Sequence, residues 1–190
     1  MASFTDGVMA VAITLLVLNI DVPRVGQDEL AGELVDLLPT LGAYVLSFAL
    51  VGRFWVIHHR LFETLDGFDS ALMGLNLVFL ALIALVPFST DLVDRYSSAP
   101  EASAVFGAIL GLAALTHWAM TRHVLGRGFV GHEHREATKP YGSAISLTFA
   151  AVFLLSVPAA YLSTVLAQVL WISTIVLRYP LRSVARWTSR

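Results

Sequence analysis

The sequence predicts an all-α membrane protein with six transmembrane helices in one domain spanning residues 1–190. Three observations carry that reading. Apolar residues make up 57% of the chain and mean hydropathy is +0.75, while only 14% of residues are charged. The apolar residues gather into runs near the ~20 residues that a helix needs to cross hydrocarbon. Lys and Arg fall mainly on alternate connections, as an even number of crossings requires.

Taken in order, the expected spans are 5–22, 39–58, 70–91, 103–122, 141–157 and 159–178. The first opens with Thr5 and Asp6 and continues as Val, Ala, Ile and Leu. Residues 26–38, rich in acids and leucine, read as a linker or a small surface helix. The stretch "LGRGFVGHEHREATKP" reads as the one long polar connection. Only Val157-Pro158 separates spans five and six. A single helix there would be about 55 Å long, too long for one crossing. Pro158 also lacks the backbone donor of a straight helix, so the break is expected at that point.

Charge sets the orientation. Arg60, Arg122, Arg127, Arg135, Lys139, Arg178, Arg182, Arg186 and Arg190 fall at the second and fourth connections and the tail, and Arg53 lies towards the same end. Arg24 and Arg95 lie opposite, among Asp21, Asp28, Glu29, Glu33, Asp36, Asp91, Asp94 and Glu101. Both termini are therefore expected in the cytoplasm, in a bacterial-type inner membrane. No basic region precedes Phe4, so no cleavable signal peptide is expected. The chain has no cysteine, which excludes disulfides, zinc-thiolate sites and thiol nucleophiles. Basic residues that border membrane spans give no support to nucleic-acid binding.

At 100° per residue, the first span carries two stripes. Gly7, Val11, Thr14, Leu15, Leu18 and Val22 form one; Asp6, Ala10, Ile13 and Val17 form the other. Asp6 has two readings: a cap on its own helix, or a member of a buried polar layer. The layer reading draws Arg53, Trp55, His58 and His59 from span two and Asn76 from span three to the same depth. Thr14 either bonds back to its own helix or faces its symmetry mates. Small Gly7 and Ala10 allow close helix approach.

"FTDGVMAVAITLLVLNIDVP", "LLPTLGAYVLSFALVGRFWVIHHRLF" and "LNLVFLALIALVPFSTDL" together resemble the transmembrane protein 175 family of bacterial and lysosomal potassium channels. The likeness is close over the first three spans, about half the chain. It implies a homotetramer in the lipid bilayer, with the first helix of each subunit lining a central pore. In place of a carbonyl filter it implies apolar constrictions at Val11 and Leu18, with Leu15 between them and a hydroxyl layer at Thr14. It implies a network between helices through Phe4, Thr5, Asp6, Trp55, His58 and Asn76. No cofactor is implied, and potassium is the permeant ion. Two positions depart from the family. Thr5 replaces the usual Ser and keeps its hydroxyl, and the family arginine would precede Met1, so the native start is expected upstream. Val11 is also smaller than the usual isoleucine, which implies a wider constriction.

A rival reading is a proton-coupled transporter with Asp6 and His58 as a relay. A purely structural membrane protein is a third. An enzyme is not expected: His58 and His59 diverge by 100°, His117 stands alone, His123 lies at a helix end, and His132 and His134 sit in a polar stretch.

Overall fold

The computed structural model describes the backbone of residues 2–176 and, within it, the side chains of residues 3–131 and 144–175. Arg178, Arg182, Arg186 and Arg190 lie outside the described residues, and the side chains of His132, His134, Arg135 and Lys139 lie outside the described side chains.

Helix α1 (Ala2–Leu15) continues as a 3-10 turn, Leu16–Asn19, and the chain leaves it at Ile20 in extended backbone. The expected first span therefore stops three residues early, because the tightened last turn closes with Ile20 N–H donating to Val17 O at 3.1 Å. Helix α2 (Leu30–Asp36) is the small surface helix expected in the acidic linker.

Helix α3 (Leu38–Glu63) begins with proline in its first turn, where the missing donor costs nothing. Asp69, extended, caps α4 (Ser70–Ala84) by accepting from Leu72 N–H at 2.9 Å. The third expected span is interrupted: Leu85 separates α4 from α5 (Val86–Arg95). Pro87 in the first turn of α5 supplies no donor to the preceding helix, which explains the interruption.

Helix α6 (Pro100–Arg127) starts on proline and ends at Gly128, whose φ of 72° is the left-handed stop that favours glycine. Helix α7 (His132–Leu162) begins inside the polar stretch expected as a loop, so only residues 128–131 connect it to α6. It also passes through Pro158. The break before α8 (Thr164–Val176) falls instead at Ser163, which is extended and accepts from Leu166 N–H at 3.4 Å through its hydroxyl. A proline ring is tolerated in a packed membrane helix. A capping serine in extended backbone ends one.

Four helical segments among the described residues are long and apolar enough to cross a membrane: Leu38–Glu63, Ser70–Arg95, Pro100–Arg127 and Ala144–Leu162. Ser3–Asn19 and Thr164–Ile175 are apolar and shorter. The protein is thus an all-α, multi-pass membrane protein.

The core centres on α6. A Cβ on Gly107 would stand 2.5 Å from Ser156 Oγ, and one on Gly111 2.7 Å from Leu154 Cδ2, so α6 and α7 meet backbone to side chain. Trp171 of α8 lies 4.5 Å from the Phe106 ring and donates to Ser156 Oγ at 2.8 Å. Phe54 then links α3 to Phe79 and Phe149, each at 6.0 Å between ring centroids.

Polar contacts tie each end of the bundle. At one end Leu65 pairs with Val130 as an antiparallel bridge, and Asp66 N–H donates to Phe129 O at 2.8 Å. His123 Nε2 meets Asp69 at 2.9 Å, with Arg127 Nε 3.8 Å away. Leu72 N–H first, then His123 and Arg127, hold the Asp69 carboxyl below its ordinary 3.8. At the other end Thr40 donates to Asp94 at 3.0 Å. Described basic residues Arg60 and Arg127 belong to the first end, and Asp91 and Asp94 to the second. That segregation agrees with the sequence pattern.

Candidate functional site

Helix α1 has one face turned into its own subunit and one left bare. Thr5, Met9, Ala12 and Leu16, spaced four, three and four residues apart, are all buried. Opposite them, Val11 is 56% and Leu18 71% exposed, and Thr14 and Leu15 are exposed beside them. The stripe read from the sequence is the uncovered one. Of its buried counterpart only Thr5 was singled out there, although the apolar Met9, Ala12 and Leu16 recur at helical spacing. Ala10 and Val17 of the second stripe are also exposed, while Asp6 and Ile13 are half-buried.

An open groove of about 430 Å³ runs along this bare face, between Phe4, Gly7, Val11 and Leu15 on α1 and Ala84 on α4. Its walls are almost wholly apolar.

Thr14 takes the local option: its hydroxyl donates to Val11 O at 2.9 Å. That bond spends the one proton, so the exposed hydroxyl oxygen can otherwise only accept.

The polar residues of the first three spans meet in two separate groups. Asn76 Nδ2 donates to Thr5 Oγ1 at 3.2 Å, and its Oδ1 lies 2.8 Å from His58 Nε2, so α1, α4 and α3 share one buried chain. Because the Asn76 oxygen can only accept, His58 carries its proton on Nε2 there. The His58 ring is sandwiched between Phe62 and Phe79, at 4.3 and 5.1 Å between centroids.

Asp6 belongs to the other group. Its Oδ1 accepts from Trp55 Nε1 at 2.9 Å, and Trp55 stacks on His59 at 5.2 Å. His59 in turn meets Glu63 at 3.1 Å. The hydrogen bonds therefore send Asp6 to Trp55 and His58 to Asn76. The Arg53 guanidinium sits 4.9 Å over the Phe149 ring. Phe4 is 59% exposed at the rim of the groove.

Three features lay beyond the sequence reading. His117 is not alone: it is buried beside His58 and Phe79, with Nδ1 2.7 Å from Ser146 Oγ. His123 pairs with Asp69. Asn19 Nδ2 donates to Pro87 O at 2.9 Å, across 68 positions of sequence. Among the described residues no group of three His, Cys, Asp or Glu could hold a metal ion.

The chain is a helical membrane bundle whose first helix is tied to its neighbours by side-chain hydrogen bonds and, like the other long helices, turns exposed apolar residues outward. Comparison with known proteins gives the family. The family described as endosomal/lysosomal potassium channel TMEM175 matches residues 1–87. A potassium channel of Streptomyces collinus is 37% identical over 153 residues, covering 78% of this chain and 73% of the relative. The crystal structure of a lysosomal potassium-selective channel TMEM175 homolog from Chamaesiphon minutus superposes with a TM-score of 0.82 at 28% identity, covering 92% of each chain. The mouse endosomal/lysosomal proton channel TMEM175 is 31% identical over 81% of this chain, which spans 36% of that protein. The chain belongs to the TMEM175 family.

Proposed function

We propose that this protein is one subunit of a homotetrameric, potassium-permeable cation channel, with α1 from each subunit lining the pore. One observation carries the reading: α1 buries Met9, Ala12 and Leu16 in its own subunit and leaves Val11, Thr14, Leu15 and Leu18 bare. A strip of that kind meets either lipid or copies of itself. The small Gly7 and Ala10 beside it favour copies. So does the family, whose relatives include potassium channels.

In this arrangement the whole of 1–190 is one membrane domain. Ser3–Asn19 and Thr164–Ile175 act as the first and sixth crossings, short ones that a locally thinned bilayer accommodates. The basic ends support a topology with both termini in the cytoplasm and the bundle in a bacterial-type inner membrane. Rings of Val11 and Leu18 form narrow apolar collars that stop ions by expelling water. Thr14 contributes oxygens with free lone pairs, which replace part of the hydration shell of a dehydrating cation. Potassium sheds water more readily than sodium, so weak oxygen ligands yield modest selectivity. The acids beside the other end, Asp21 first among them, raise local cation concentration at the entrance. Asp6 and Trp55, with Thr5, Asn76 and His58, hold α1 in register.

Reconstituted vesicles test the proposal. The expected result is potassium flux down its gradient, faster or less selective in Val11→Ala. Unchanged flux and permeability ratio in Val11→Ala would remove Val11 from the pore. Proton passage is the second reading, favoured by the name of the mouse relative. A reversal potential that follows a pH gradient at constant potassium identifies it.

A further inference from the structure

We infer that Asn19 is a positioning residue of the pore: its bond to the Pro87 carbonyl holds the 3-10 turn Leu16–Asn19, and that turn sets the direction of Leu18. The inference rests on the reading of α1 as the pore helix.

The geometry is specific. In a 3-10 turn, residues three apart eclipse one another. Leu15 starts this turn at φ −65°, ψ −26°, and Ile20 N–H closes it on Val17 O. Leu18 therefore stands over Leu15, and Asn19 over buried Leu16. In an α-helix the same pairs would stand roughly 60° apart, since three residues turn through only about 300°. The tight winding thus does two things together. It turns Asn19 inwards to reach Pro87, and it stacks Leu18 on the bare line already occupied by Leu15.

What Asn19 grips is itself fixed. Pro87 is buried, and it lies in the first turn of α5 just past the Leu85 interruption. The amide spans 68 positions of sequence at 2.9 Å. Short 3-10 stretches need such help, because their own hydrogen bonds are poorer than those of an α-helix. Without the grip the turn relaxes towards α geometry, and Leu18 swings roughly 60° off the line of Leu15 while Val11, one full turn and more before the 3-10 segment, stays where it is. The outer collar is thereby adjustable independently of the inner one.

The chain has no cysteine, so a single introduced thiol is unique. Val11→Cys and Leu18→Cys are each placed in the full chain, reconstituted in vesicles, and treated with a charged, water-borne methanethiosulfonate. Potassium flux and the rate of thiol modification are both read. In the Asn19→Leu background, Leu18→Cys is expected to change its modification rate about fivefold or more, with the Val11→Cys rate unchanged. Asn19→Gln, which keeps a donor, restores the parental rate. Asn19→Asp, isosteric and without a donor, takes the place of Asn19→Leu if the latter fails to elute as the parental oligomer. An unaltered Leu18→Cys rate beside flux blocked through Val11→Cys overturns the role of Asn19 and leaves the pore reading intact. Flux through Val11→Cys that ignores the reagent overturns the pore reading and, with it, this inference.

Discussion

Trp55 Nε1 donates to Asp6 Oδ1 at 2.9 Å, joining α3 to the first turns of α1 on the side that the subunit leaves uncovered. The acceptor is a carboxylate, but either an acid or an amide oxygen can fill the role. Asp6→Asn is therefore expected to preserve the oligomer, whereas Asp6→Ala loosens it. In a double-mutant cycle with Trp55→Phe, Asp6→Ala should give a coupling of about 0.5–3 kcal/mol. Thermal melting of the detergent-solubilised protein, followed by size exclusion, reads it. Strictly additive losses would mean that the two side chains act separately.

Asn76 sits between two buried partners, Thr5 and His58. Asn76→Leu keeps the volume and orphans both, and a buried polar group without a partner costs about 1–3 kcal/mol. A large fall in melting temperature is expected, exceeding that of Thr5→Val, which removes only one bond. Equal losses would place the weight of the chain on Thr5 alone.

Gly107 has no room for a side chain: a Cβ would lie 3.1 Å from Phe153 O as well as 2.5 Å from Ser156 Oγ. Gly107→Ala must push α7 away or break the Trp171–Ser156 bond, a strain of about 1–3 kcal/mol. Gly126 in the same helix has nothing within 4 Å of its Cβ position. Gly126→Ala should be neutral or stabilising, since alanine favours helix by up to about 1 kcal/mol. Intrinsic tryptophan fluorescence during thermal unfolding checks both.

The Asp69 carboxyl is held below 3.8 by Leu72 N–H, then by His123 and Arg127. A carboxylate depressed in the folded state stabilises above its unfolded value and loses that contribution as pH falls through the folded one. The difference between parental protein and Asp69→Ala in melting temperature should therefore persist from neutral pH down to about 4 and shrink only below it. A difference that vanishes between pH 7 and 5 would assign the effect to a group other than this carboxylate.

The sequence made the fold class legible because hydropathy and the Lys/Arg pattern report directly on the membrane. It made the bare face of α1 legible because helical periodicity needs no partner to be read. Breaks were less visible. Pro158 looked like a stop and Leu85 did not, because the fate of a proline depends on what packs around the freed carbonyl. Ser163 ends α7 through its backbone conformation, which no residue type dictates by itself. The Asp6–Trp55 and Thr5–Asn76–His58 groups were foreseeable as one layer but not as two, since only side-chain reach separates them. The contact of Arg53 with Phe149, a residue almost a hundred positions away, was not legible either. The Asn19–Pro87 contact carried no sequence signal beyond a polar residue at the end of an apolar run.

Two of these contacts sit near opposite tips of the first helix: Thr5 on Asn76, and Asn19 on Pro87. Between those tips Met9 and Ala12 are sunk in the core as well, so the helix is braced along its whole length. Val11 and Thr14, across the helix from that buried line, therefore shift only when the helix moves as one piece with the neighbours that brace it.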